Sequence, residues 1–201
     1  MNSKTITKCT FLIIVFSAII ITLFACERDD ICAETTPTTP RLFIEFYDAT
    51  SPEDLRSVPR LTAYGEGLIT DSDGNPIEPT EVTDGILELS DGTFIFDINR
   101  NAIDLPLRID DGLNEERVRT RFILERNTNL RLDESGTSNV DIIEISYVPQ
   151  FEYVSRACGY KSIFNAIDVT VDNDGDNWIS SIEIDVQNLE NENTTHVRIF
   201  H

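Results

Sequence analysis

The chain has 201 residues, with 36 acids against 16 lysines and arginines, for a formal charge of −20. Such an excess of acid argues against nucleic acid as a partner, because phosphate binding depends on clustered bases, and against docking on anionic headgroups through a protein face. The length suits one principal domain with a core of ordinary size.

Residues 1–25 read as an export signal. Lys4 and Lys8 lie in a basic start without acids, residues 11–24 are almost wholly apolar, and Leu23-Phe24-Ala25 precede Cys26. This order of basic, apolar and small-residue segments marks a secretory leader. Leu at −3, Ala at −1 and a following Cys resemble the bacterial lipoprotein signal, in which the cysteine is acylated and becomes the new N-terminus. Phe24 is bulkier than the residue usual at that place. The alternative is an uncleaved anchor helix, but an apolar run of about 14 residues is short of the roughly 20 that span a bilayer. Without the leader, 14 bases remain against 36 acids, so the mature chain carries about −22 and acid keeps it soluble.

Residues 26–40 read as a lipidated tether. Glu27-Arg28-Asp29-Asp30 resembles the acidic surface-export signal of Bacteroidota lipoproteins; a solvated linker is the alternative. The Thr-Pro segment 35–40 favours an extended spacer. Cys9 falls in the leader and Cys26 is the lipid site, which leaves Cys32 and Cys158 in an oxidising compartment. A disulfide between them is expected, with two free buried thiols as the alternative. It closes about 125 residues, a constraint of about 4–5 kcal/mol on the chain-entropy account. Zinc is not expected, because only His196 and His201 could complete a site and neither has ligand spacing.

From residue 41 to 201 the pattern is strand after strand. Residues 42–47 form a β-rich run between Pro40 and Asp48, and Ser51-Pro52-Glu53-Asp54 reads as the cap of a single helical turn. A strand follows at 60–64, then a polar loop over 70–85. Two apolar runs flank Asp91-Gly92 in residues 86–97, the strongest hairpin signal in the chain. Leu105-Pro106-Leu107 belongs at an edge or bulge. Strands follow at 117–126, 140–148 and 151–156. The runs 162–171 and 178–186 read as a pair around an Asp-rich turn, and 196–200 closes the chain. Nine or ten short strands with no convincing amphipathic helix predict an all-β fold, an antiparallel β-sandwich of immunoglobulin-like type, with a barrel as the alternative.

Cys26-Glu-Arg-Asp-Asp-Ile-Cys32, Thr39-Pro40-Arg41-Leu42 and Glu45-Phe46-Tyr47 resemble the start of a Bacteroidota envelope lipoprotein family, a domain of unknown function. The run Tyr153-Val154-Ser155-Arg156-Ala157-Cys158-Gly159-Tyr160-Lys161 resembles its second motif. Asn177-Trp178-Ile179 and the terminal His196-Val197-Arg198-Ile199-Phe200-His201 extend the likeness over the mature chain. The resemblance implies an envelope lipoprotein, supports the Cys32–Cys158 pairing, and implies nothing about catalysis.

Asp172, Asp174, Asp176 and Glu183 fall at positions 1, 3, 5 and 12 of a calcium loop. Against that reading, position 6 is Asn177 rather than Gly, and strand-like flanks would carry Glu183 away. A solvated hairpin turn is the favoured alternative. Arg117, Arg119 and Arg121 alternate along one strand and share a face. They could hold an anion or a partner's carboxylates; cross-strand pairing with Glu144 and Glu88 is the favoured reading. A serine hydrolase would have to use His196 or His201, and no nucleophile or phosphate-loop motif accompanies them. Among so many acids no pair stands out for glycoside hydrolysis. No catalytic residues and no cofactor are therefore expected. The expectation is a non-enzymatic lipoprotein held through Cys26 on the periplasmic or the surface-facing side of the outer membrane, acting as a binding or accessory subunit for an outer-membrane protein. A calcium-supported module binding a glycan or a surface is the second reading, and an envelope hydrolase the third.

Overall fold

The computed structural model describes residues 31–81, 94–109 and 117–201. The strands are β1 Leu42–Asp48, β2 Ser51–Leu55, β3 Val58–Gly65, β4 Ile95–Arg100, β5 Ala102–Leu105, β6 Val118–Arg126, β7 Asn139–Ser155, β8 Gly159–Val171, β9 Ser181–Ile184 and β10 Val197–Phe200; α1 is Thr128–Leu132. The chain divides into a small unit, Met1–Thr36 with Val154–Gly159, and a large one, Pro37–Tyr153 with Tyr160–His201.

The large unit is an all-β sandwich. Its first sheet runs β2-β1-β10-β9, with β5 also on β1; the second runs β4-β3-β6-β7-β8. Alternation builds the interior. In β1, Leu42, Ile44 and Phe46 are fully buried while Phe43, Glu45 and Tyr47 on the other face are half-buried. In β7, Ile143, Ile145 and Tyr147 are likewise fully buried. These side chains from both sheets belong to one apolar cluster, as period-2 patterning requires when each sheet has one covered face.

Several elements depart from the sequence expectation. Residues 51–55 are an edge strand rather than a helical turn. Asp48 Oδ1 accepts hydrogen bonds from Thr50 N and Oγ1, which turns the chain back, and all five residues of β2 are exposed, a place where Pro52 costs no ladder bond. The runs at 140–148 and 151–156 are one strand, β7. Its pairing with β6 stops at Tyr147, so Pro149 lies where that neighbour has ended. The runs around the Asp-rich segment are not a hairpin: β8 lies in the second sheet, while β9 pairs with β10 in the first. Buried Trp178 and Ile179 stand where the chain crosses between them. Of the hairpin expected at 86–97, the first run and its Asp91-Gly92 turn lie outside the described residues; β4 pairs antiparallel with β3. β5 ends at Leu105, immediately before Pro106.

The helix α1 is an addition. Asn127 precedes it in a left-handed conformation, φ 59°, which asparagine tolerates. Thr128 Oγ1 donates to Thr62 Oγ1 in the interior, and Arg131 reaches back to Glu125 with Nε and Nη2 at 2.7 and 2.9 Å from its two carboxylate oxygens. Burial raises the Glu125 pKa, but the hydrogen bonds and charge of Arg131 outweigh it and hold the group below its ordinary value.

One pair is parallel where an antiparallel sheet is expected. β1 and β10 run side by side from Ile44↔Val197 to Tyr47↔Phe200. Two buried histidines bracket this pair. His196 Nδ1 accepts the Phe43 amide at 2.9 Å, and its Nε2 lies 2.9 Å from Asn191 O. A neutral ring with its proton on Nε2 satisfies both contacts. His201 N donates to Tyr47 O, its Nε2 is 3.2 Å from Arg56 O, and its ring stands edge-on to Phe46 and Trp178.

Burial lowers the pKa of both histidines; Arg56 and Arg126 act in the same direction on His201. Each is therefore neutral in the fold, while the unfolded chain takes up protons once pH falls below about 6.5. Their contribution to stability is full above that pH and is lost as pH falls through the folded values, at about 1.4 kcal/mol per unit of depression. We expect the urea midpoint to fall more between pH 7.5 and 5 in the parent than in a His196→Gln/His201→Gln double variant. Equal pH dependence in the two proteins would refute the assignment.

Candidate functional site

The small unit contains the Cys32–Cys158 disulfide, with Cα atoms 4.9 Å apart and a sequence separation of 126. Ser155 Oγ accepts the Cys158 amide at 3.0 Å, and Gly159 follows at φ 71°, a left-handed turn residue that needs no Cβ. Thr36 N donates to Ala33 O, and Thr36 Oγ1 lies 3.5 Å from Cys158 Sγ. Cys26 lies outside the described residues. Within the large unit, the segment before β1 is fixed by Ser162 N donating to Thr39 Oγ1 and by Arg41 N donating to Glu192 Oε1.

The four calcium candidates do not converge. Asp172 Oδ2 lies 2.6 Å from Arg121 Nη2. Asp174 Oδ1 accepts the Asp176 amide. Glu183, carried away on β9, pairs with Arg198 at 2.9 Å. Among the described residues, no three histidine, cysteine or acidic side chains are grouped to hold a metal ion. What organises this segment is Asp141, which the sequence reading passed over. Its two carboxylate oxygens accept the Trp178 and Ile179 amides at 3.4 and 2.8 Å, and Trp178 Nε1 donates to Leu124 O. Asp141 is 1% exposed, and burial raises its pKa despite those bonds. Its signal was present in β7: an acid at the parity of Ile143, Ile145 and Tyr147 points inward.

The arginine stripe is largely neutralised. Arg121 meets Glu66 at 2.8 Å, Asp172 at 2.6 Å and Glu144 at 3.4 Å; Arg119 also meets Glu144 at 3.4 Å. Arg117 Nη1 donates to Ser146 Oγ. The expected pairing with Glu144 is present, and Glu88 lies outside the described residues. The hydrogen bond that Arg121 donates to Asp172 is the largest of the causes that raise the Arg121 pKa. On the other sheet, Arg198 is held by Asp185 and Glu183 and lies about 6 Å from the Tyr47 and Phe200 ring centres.

The lone pair of His196 Nδ1 is committed to the Phe43 amide, and His201 is packed among rings. A cavity of about 270 Å³ is lined by Pro37, Thr38, Pro40 and residues 190–193, with Glu190 and Glu192 as its acids. A second, of about 240 Å³, is lined largely by apolar atoms around Leu68, Leu107 and Phe122. Both are smaller than the roughly 300–1,000 Å³ usual for small-molecule sites.

Removing the Asp141 carboxylate leaves two amides unpaired in the interior. Asp141→Ala should destabilise the fold by about 2–3 kcal/mol. It should also shift the emission of Trp178, the sole tryptophan, to the red. Unchanged stability and emission would refute this organising role.

No curated protein and no solved structure matches the chain. The model of a family of unknown function, DUF6452, matches residues 89–201. That span runs from before β4 to the end of β10 and includes Asp141, Cys158 and both histidines. It covers more than half of the sequence, and the chain belongs to this family.

Proposed function

We propose that this protein is a Bacteroidota envelope lipoprotein, exported and acylated at Cys26, that acts as a non-enzymatic binding or accessory subunit at the outer membrane, with an outer-membrane protein as its partner. The observation that carries the reading is the Cys32–Cys158 disulfide. Structural disulfides belong to oxidising compartments, and this one begins six residues after the lipid-signal cysteine. A short acylated leash stapled to a folded body suits a protein held at a surface beside a partner.

The commitment of His196 supports a non-catalytic role. A hydrolase needs a base with a lone pair free to take a proton, and the Nδ1 lone pair of His196 already accepts a backbone amide. The calcium-supported alternative has less support, since Asp172 and Glu183 neutralise arginines on different sheets.

A deletion strain complemented with the wild type or with Cys26→Ser tests the reading. Metabolic fatty-acid label should enter the wild-type protein alone, and the deletion should deplete one outer-membrane complex that the wild type restores and Cys26→Ser does not. Label on Cys26→Ser would refute the anchor. An unchanged set of outer-membrane complexes would refute the accessory role.

A further inference from the structure

The β7–β8 pair carries an aromatic face that nothing described covers. Along β7, Ile143, Ile145 and Tyr147 point into the core, and Phe151 and Tyr153 continue the same parity. Along β8, Phe164 is fully buried with its ring 5.1 Å from that of Tyr147, and Tyr160 shares its parity. The Tyr153 and Tyr160 rings meet edge-to-face at 5.4 Å, which places them on one face. This is the inward face of the second sheet prolonged beyond its core. Phe151, Tyr153 and Tyr160 are 51%, 58% and 68% exposed. On the other parity, Glu152 and Lys161 are paired, with Lys161 Nζ 3.0 Å from Glu152.

We propose that this face lies in the headgroup interface of the membrane that holds the anchor. The proposal rests on the lipoprotein reading, because chain length supplies the argument. Cys32 follows Cys26 by six residues, a reach of at most about 22 Å. The disulfide adds 4.9 Å between Cα atoms, and Tyr160 follows Cys158 by two residues, about 7 Å more. Tyr160 is therefore leashed within about 34 Å of the acylated residue, less than the thickness of a bilayer with its headgroups, about 40–45 Å. Without the disulfide, the leash would run on to the start of β1. With it, the chain next to the aromatic face is the part held nearest the lipid.

The chemistry fits that location. Tyrosine has an apolar ring and a polar tip and is enriched where one end is dry and the other wet. A mature chain of about −22 gains nothing from anionic headgroups, so aromatic insertion among zwitterionic lipids is the contact open to it.

The test uses the full lipidated protein in phosphatidylcholine vesicles carrying bromine high on the acyl chains. The parent and the Tyr160→Trp and Tyr153→Trp variants are compared, each an aromatic-for-aromatic change at an exposed position. In the parent, buried Trp178 should be insensitive to the bromolipid. The added tryptophan should emit to the blue of an exposed one, lose severalfold more emission to bromolipid than the parent does, and resist aqueous acrylamide. Co-flotation of the protein with added tryptophans quenched by acrylamide and not by bromolipid would overturn the proposal and leave the anchor reading intact. Failure to float, with an intact mass lacking acyl chains, would overturn both. Protection from both quenchers only in native membranes would show that a protein covers this face, and would overturn the lipid assignment.

Discussion

The sandwich depends on the parallel pairing of its first and last strands. β1 lies inside the first sheet, with β10 on one side and β2 and β5 on the other. The Phe43 amide and the His196 ring that joins these strands are 153 residues apart. Closing so long a loop carries an entropic cost that must be met before the contacts form. Leu42, Ile44 and Phe46 from one end of the chain and Val197 and Ile199 from the other are all fully buried in the common core. His196 adds specificity, because accepting the Phe43 amide requires a neutral ring in one place, and burial favours the neutral form of His201 as well. The two rings that sequence reading offers to catalysis are thus used to fasten the ends of the domain together.

Much of this was legible. β1, β3 and β6 follow from alternation with β-branched and aromatic residues, and the disulfide from the two cysteines left after the leader and lipid site are set aside. Other features were hidden for identifiable reasons. β2 reads Ser-Pro-Glu-Asp, and its identity as a strand comes from edge pairing, which local propensity does not encode. α1 is too short to display a helical period and is held by Thr62 and Glu125, residues distant from it or outside its span. The segment after β8 has the alternation of a hairpin arm, but buried Asp141 fixes Trp178 and Ile179 and sends the chain to the other sheet. Sequence spacing assembled Asp172, Asp174, Asp176 and Glu183 into one loop; the arginines at 121 and 198 separate its ends.

The same charges bear on function. In so acidic a chain, two of the three arginines that suggested an anion site, Arg119 and Arg121, are drawn into pairs with Glu144, and elsewhere Arg131 pairs with Glu125 and Arg198 with Asp185. Such pairs on exposed faces contribute little individually; their effect is to use up groups that could otherwise bind or react. The remaining distinctive features are the proposed acylation signal, the Cys32–Cys158 disulfide and the aromatic strand ends. On the proposed reading, all three describe attachment.

The central claim is that this attachment serves a partner. Its most direct test is cross-linking of the full-length lipidated protein in its own membranes, followed by purification and mass spectrometry. The account predicts one dominant outer-membrane protein, recovered again when that protein is used as the bait. Recovery of the protein alone, under conditions that capture known envelope complexes, would contradict it.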